Sequence, residues 1–297
     1  MTDPTPPRAA PRIAISEISG EHVAEVADFL HRELNPAVSS AAWATLLDPP
    51  WGAPGPNRGF LLRADGEIVG AYAAVYSSRN TATGTVDVCN LAAFCVQESF
   101  RMHSLRLVRA LLKQKGLLFT DLSPSGNVVA MNERLGFSRI PATAKLAVNL
   151  PLSFASVSVS VSVSDDPARI ASTLRGRDAV VYRDHASAPA ARHVVVTKGD
   201  DYAYVMYRVD RRKRLRLFAS PLFTGGDRTL LERSWGAVGA HFARRGLPFT
   251  LMDSHALGFE PHRGRVLKNP RVKMFRGDHG TADAVDYLYS ELALVEW

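Results

Sequence analysis

Lys115-Gly116-Leu117-Leu118-Phe119-Thr120 and Arg245-Gly246-Leu247-Pro248-Phe249-Thr250 are two versions of one junction. In each, a basic residue closes a helical pattern, glycine stops it, and an apolar run suited to a buried strand follows. Upstream of the first junction, residues 99–115 read as a helix with Leu105, Val108, Leu111 and Leu112 on one face. Upstream of the second, Asp227 is placed to cap a helix over 228–245. Three strand-like runs precede each helix, at 59–64, 67–78 and about 85–96, and again at 193–197, 202–209 and 214–223. Asp65-Gly66 between the first two marks a hairpin. The repeated order predicts an internal duplication, two copies of one α/β (mixed α+β) module.

Working outward, residues 13–18 read as a strand, and Val23, Val26, Ala27 and Leu30 fall at helical spacing. A short helix over 41–47 is stopped by Asp48-Pro49-Pro50, and the Pro/Gly loop 49–57 is long enough to border a site. Residues 127–135 form a short helix closed by Gly136. The Ser/Val-alternating stretch 153–164 suits an edge or bridging strand and equally a linker. The expected organisation is a disordered tail over 1–12, a first module over 13–150, a linker or bridging strand over 151–165, and a second module over 166–297.

A chain of 297 residues that is 46% hydrophobic and 22% charged can bury a full core. No apolar run reaches the roughly 18–20 residues of a membrane span. The first eleven residues lack the apolar centre of a signal peptide. Two cysteines, Cys89 and Cys95, exclude a disulfide scaffold and a four-ligand zinc site, so a reducing, cytoplasmic setting is expected. The net charge of +7 favours anionic partners, such as a nucleotide-bearing cofactor. The densest basic cluster, 208–216, reads as a solvated turn between strands. Without an aromatic-interleaved basic stripe, nucleic acid is not the expected partner.

The chemistry concentrates between residues 93 and 137. Val96-Gln97-Glu98-Ser99-Phe100-Arg101 is similar to the strand exit Val-x-Pro-x-Tyr-Arg of the acyl-CoA N-acyltransferase (GNAT) superfamily, with Glu98 in place of the proline. Asn127-Val128-Val129-Ala130-Met131-Asn132-Glu133-Arg134-Leu135-Gly136-Phe137 resembles that family's Asn-x-x-Ala…Leu-Gly-Phe ending. The first half carries the whole resemblance. It implies two GNAT-like modules, each a mostly antiparallel mixed sheet flanked by helices, with a degenerate second copy. It also implies transfer from acetyl-CoA or another acyl-CoA to an amine of a small metabolite or sugar, without a metal.

A helix N-terminus fed by a strand offers free amides and a positive dipole end to a pyrophosphate. Arg101, His103, Ser104 and Arg106 occupy that turn; Met102, Ser104 and Arg106 stand where the family carries glycines. By position the resemblance places the pantetheine arm along Phe94, Cys95 and Val96, and Asn127 near the cofactor. Asn132 stands where the family has its acidic tyrosine. Asp87 is then the candidate base and Ser123 a candidate proton donor. Cys95 among apolar neighbours reads as an inert thiol, so direct transfer is expected. The competing reading is a catalytically inactive GNAT-like binding or structural protein. The second half has no match to the phosphate turn, although Phe223-Thr224-Gly225-Gly226-Asp227 supplies two glycines at the equivalent place and leaves a weak anion site open there; Asp253, His255 and His262 read as ordinary polar turns. The expected partner is a small-molecule acceptor, with no membrane and a homodimer allowed.

Overall fold

Asp65 and Gly66 both sit at positive φ, 50° and 95°, the geometry that lets a two-residue turn follow the twist of its flanking strands. The computed structural model describes residues 11–52, 55–81, 84–150, 161–212, 215–277 and 285–296. Most of the N-terminal tail and residues 151–160 of the expected linker, which include 153–160 of the Ser/Val stretch, therefore lie outside the described residues.

The first half runs β1 (Ile13–Glu17), α1 (Val23–Glu33), α2 (Ser40–Leu47), β2 (Gly59–Ala64), β3 (Glu67–Thr81) and β4 (Gly84–Val96). It continues through α3 (Ser104–Leu112), β5 (Leu117–Asp121), α4 (Val128–Arg134), β6 (Ser138–Arg139) and β7 (Ala144–Val148). The second half follows the same order: β8 (Ser162–Ser164), α5 (Pro167–Thr173), α6 (Gly176–His185), β9 (Arg192–Lys198), β10 (Asp201–Arg212) and β11 (Leu215–Gly226). Then come α7 (Arg228–Arg244), β12 (Phe249–Asp253), α8 (Ser254–Leu257), β13 (Arg265–Val266), β14 (Met274–Arg276) and, last, α9 (Glu291–Leu294). The end of the Ser/Val stretch is an edge strand: β8 pairs with β9.

Two mixed, mostly antiparallel sheets result, β1-β2-β3-β4-β5-β14-β6 and β13-β7-β12-β11-β10-β9-β8. They interlock. β7 leaves the first half to pair with β12, from Val148↔Phe249 to Ala144↔Asp253. β14 leaves the second half to pair with β5, from Met274↔Asp121 to Arg276↔Phe119. Each half thus supplies the sixth strand of the other's sheet. The sequence shows no sign of this, because both strands are short and their partners lie far away along the chain.

The central core lies between the sheets, where Phe29, Leu30 and Trp43 of the first half pack with Val195, Tyr204 and Met206 of the second and with Leu292, Leu294 and Val295 of the C-terminal segment. α3 covers the outer face of the first sheet and α7 that of the second. α3 is shorter than the sequence pattern suggests. Residues Glu98–His103 wind as a 3-10 turn that runs into it. Its buried face is Leu107, Val108 and Leu111, whereas Leu105 is 47% exposed.

The basic cluster 208–216 is not simply a solvated turn. Arg208 is buried and donates to the carbonyls of Leu292 and Val295 at 3.1 and 3.2 Å. Arg192 and Arg211 pair with Glu296 at 2.8 and 3.1 Å. Much of the basic charge near this turn anchors the C-terminal segment.

Candidate active site

β4 and β5 run side by side only from Asp87↔Leu117 to Asn90↔Thr120. Beyond that point β4 continues to Val96, held on its other edge by β3 up to Gly70↔Val96. A register shift between Ala73 and Ala74 leaves Ala92 unmatched, a bulge that adds local twist and turns β4 away from β5. The two strands open into a fork. A cavity of about 460 Å³ fills it, lined among others by Tyr72, Phe94, Asp121, Ser123, Pro124 and Arg271. Among the described residues the edge of β4 that faces the fork has no strand partner past Asn90, so its backbone groups remain available to an extended ligand.

Two carboxyl groups, one in the cavity wall and one buried behind it, flank Ser123. Asp121 ends β5, and its Oδ2 accepts from Asn132 Nδ2 at 2.7 Å. Burial raises the Asp121 carboxyl to about 6, opposed by the Asn132 contact and the Ser123 backbone N–H. Glu291 arrives from the far end of the chain, fully buried, and accepts from Ser123 Oγ at 2.7 Å. Burial raises it to about 7; the Ser123 hydrogen bond opposes this and the charge of Asp121 adds to it. Its Oε2 has no hydrogen-bond partner among the described residues. Asn90 ties the pieces together, donating to Thr120 Oγ1 at 3.1 Å while its Oδ1 accepts from the Glu291 N–H at 3.3 Å.

The sequence candidates fall into separate places. Phe94 and Ser123 line the fork, and Tyr72 packs on Phe94 with ring centroids 4.5 Å apart. Cys95 and Val96 follow Phe94 along the unpaired edge. The Cys95 thiol is pushed up to about 11, chiefly by burial. Asn132 is buried behind Asp121 and positions it rather than lining the cavity. Asn127 is exposed at the start of α4. Asp87 is exposed, hydrogen-bonded by Ser78 Oγ at 2.6 Å, and level with the start of β5. The structure does not bring it to the fork.

Arg101 and Arg106 are exposed, and His103 and Ser104 half-buried, at the turn into α3. That turn differs from a helix N-terminus with open amides: the Phe100 N–H bonds to the Gln97 carbonyl and the Ser104 N–H to that of Arg101. Anion contacts at residues 101–106 therefore fall to side chains.

Sequence reasoning passed over Asp121 and Glu291. Asp121 stands directly after Leu-Leu-Phe-Thr at the end of a buried strand, a position where a carboxylate is costly, and that was its signal. Glu291 had none.

The second sheet contains a corresponding fork. β11 pairs with β12 only at Phe218↔Phe249 and Ala219↔Thr250 and then continues to Gly226, with Leu222 unmatched at a register shift against β10. Asp253 there is engaged by Lys273 at 2.7 Å and by the Tyr287 hydroxyl at 3.2 Å, and His262 by Glu232 at 2.6 Å.

Comparison with known proteins identifies the architecture. No protein-family model matches the chain, and no curated protein matches it in sequence. Among solved structures, a GCN5-related N-acetyltransferase from Kribbella flavida superposes with a TM-score of 0.59 at 13% identity, over 90% of this chain and 71% of that one. Another, from Anabaena variabilis, gives 0.58 at 11% identity over 89% and 72%. N-myristoyltransferase of Saccharomyces cerevisiae, solved with bound myristoyl-CoA, gives 0.50 at 10% identity over 100% and 87%. The chain has the GCN5-related N-acetyltransferase fold, as the sequence resemblance implies.

Proposed function

We propose that this chain is an acyl-CoA-dependent acyltransferase that acts at the first fork, with an amine of a small metabolite or sugar as acceptor and an acetyl or other acyl group as cargo. The observation that carries this reading is the unpaired edge of β4 bordering a cavity whose wall holds the Asp121 carboxyl group and Ser123, with Glu291 buried behind Ser123. An extended pantetheine arm pairs with the backbone of Phe94, Cys95 and Val96. Arg101, His103, Ser104 and Arg106 supply side-chain contacts for the phosphates.

The two raised carboxyl groups differ in their place, and that sets their roles. Asp121, which stands in the cavity wall, is the base. It takes one proton from the acceptor ammonium, and the free amine attacks the thioester carbonyl, forming C–N. The C–S bond breaks as the intermediate collapses. Glu291, buried out of the cavity and raised by that burial, is the proton reserve behind Ser123. When Glu291 is protonated, its O–H turns to Ser123 Oγ, and the serine O–H is released toward the fork to protonate the departing thiolate. The second nitrogen proton, shed as the amide forms, restores Glu291. The base is thus reassigned from Asp87 to Asp121, and Ser123 donates only with Glu291 behind it. Cys95 stays a thiol at neutral pH, which favours direct transfer within a ternary complex.

The wound 3-10 turn at Glu98–His103 favours the second reading, a non-catalytic protein of this fold. Titration of the full chain with acetyl-CoA and longer acyl-CoAs, read as melting temperature and as thiol release with a panel of amines, separates the two. Binding with turnover supports the enzyme; binding without turnover supports the second reading; no binding dismisses both the site and the activity.

A further inference from the structure

The second fork opens into a cavity of about 910 Å³, larger than the first. Its wall is unlike that of the first fork. Three guanidinium groups, of Arg79, Arg177 and Arg228, line it against the carboxylates of Asp286 and Glu260. Asp286 is held between two of them, by Arg79 at 2.9 Å and Arg177 at 3.0 Å. The Arg79 side chain is only 8% exposed, and its Nη1 has no partner among the described residues. Arg228 has no ion-pair partner among the described residues. Its guanidinium lies against Gly258, where a Cβ would stand 3.3 Å from Nε and Nη2. The absence of a side chain there leaves the room that Arg228 occupies.

The apolar part of the wall is aromatic. Phe223 lies under the Arg177 guanidinium at 5.4 Å, and Phe259 and Tyr287 complete it. Two of the amides at the start of α7 are already taken, since the Asp227 carboxylate accepts from Thr229 N and Leu230 N. An anion entering this cavity is therefore met by guanidinium groups rather than by a helix N-terminus.

We propose that the second fork is a separate binding site for a small organic anion with an aromatic body and one carboxylate or phosphate group. Arg228 and Arg177 take the oxyanion, with bidentate geometry that suits either group. Phe223 and Phe259 take the ring. The site lies outside the transfer chemistry, and it shares with the first fork the strand β3, through Tyr72 and Arg79, and the segment that carries Asp286 and Glu291.

The test is calorimetric titration of the full chain with phenyl phosphate, phenylacetate and benzylamine. The anions should bind and benzylamine should not; the preferred anion tells whether the natural ligand carries phosphate or carboxylate. Arg228→Gln, which keeps most of the packing, should weaken the anions about tenfold or more, the order expected for one lost charge-assisted pair. The double variant Arg101→Ala, Arg106→Ala should bind them as the parent does. Three results would each overturn the proposal: neither anion binding at about 10 mM, far weaker than a specific site requires; affinity unchanged in a folded Arg228→Gln; or benzylamine binding equally well. Should Arg228→Gln fail to fold, Phe223→Leu gives a second reading, with ring-bearing anions weakened and inorganic phosphate unaffected.

Discussion

The Ser123 hydroxyl donates to Glu291 Oε1 at 2.7 Å, joining residues 168 positions apart. Through this contact the end of the chain reaches the fork of the first sheet and places a carboxyl group next to Asp121. Asp121 of the first half and Glu291 of the C-terminal segment are thereby brought together around Ser123.

Asp121 and Asp87 are distinguishable by substitution. Asp121→Asn should lower turnover by about 10²–10⁴, the range for loss of a positioned base, with the fold retained. Asp87→Asn, altered at an exposed site away from the fork, should stay close to the parent. Steady-state thiol release measures both, and the reverse order would restore Asp87 as base.

The pH profile of the parent should be narrow and bell-shaped. Activity rises as Asp121 loses its proton near 6 and falls as the Glu291 reserve empties near 7. In Glu291→Gln the falling limb should disappear while the rising limb remains. A profile that rises monotonically to pH 9 in the parent would remove Glu291 from the chemistry.

Glu291 also carries a stability cost with a defined sign. Its folded value lies above its ordinary 4.5, so the folded state holds the proton more tightly and stability falls as pH rises from about 4.5 to about 7. Glu291→Gln should therefore be more stable than the parent at pH 8, by about 1–3 kcal/mol, and show no such gain at pH 4. Urea unfolding at the two pH values measures the difference.

His185 and His193 act in the opposite direction. Burial lowers both to about 4, so the folded state resists protonation. The stability they allow is complete above about 6.5 and is lost as pH falls toward 4. NMR of the folded chain should show both imidazoles neutral down to about pH 5. Titration of either near 6.5 would contradict their buried placement.

Arg208→Ala should do more than remove a charge. It frees two carbonyls of the C-terminal segment and leaves the half-spent carboxylate of Asp210 behind, at a cost of about 3–5 kcal/mol. Arg208→Lys, which retains the charge without the fork of donors, should recover part of the stability but less of the turnover, because Glu291 loses its fixed position. Comparing unfolding with turnover separates anchoring from bulk stability.

The order of elements was legible because periodicity, glycine stops and the Asp65-Gly66 turn are local signals, and both halves display them. The strand exchange was not: β14 has three residues, Met274–Arg276, and nothing in them names β5 as partner. The helical pattern over 99–115 overstates the α-helix, since Glu98–His103 wind as 3-10 and Leu105 faces outward. At the candidate site, Phe94 and Ser123 were legible through the family resemblance. Asp121 and Glu291 were not, because a raised carboxyl pKa depends on what surrounds it, and here the surroundings come from Asn132, Ser123 and the last residues of the chain. The arginines of 208–216 were read by their charge, whereas Arg208 is defined by the carbonyls it meets.

The exchange of β7 and β14 has a consequence for biogenesis. A ribosome that has made residues 1–150 has made every helix of the first half, yet the gap between β5 and β6 stays open until Met274–Arg276 emerge. Through that interval the nascent chain carries unpaired edges flanking the gap and, in β7, a strand whose partner does not yet exist. Such edges are templates for pairing with other chains. Expressed alone, each half would lack the strand it receives from the other, and a truncation before Met274 would remove a strand from the first sheet although it falls in the second half.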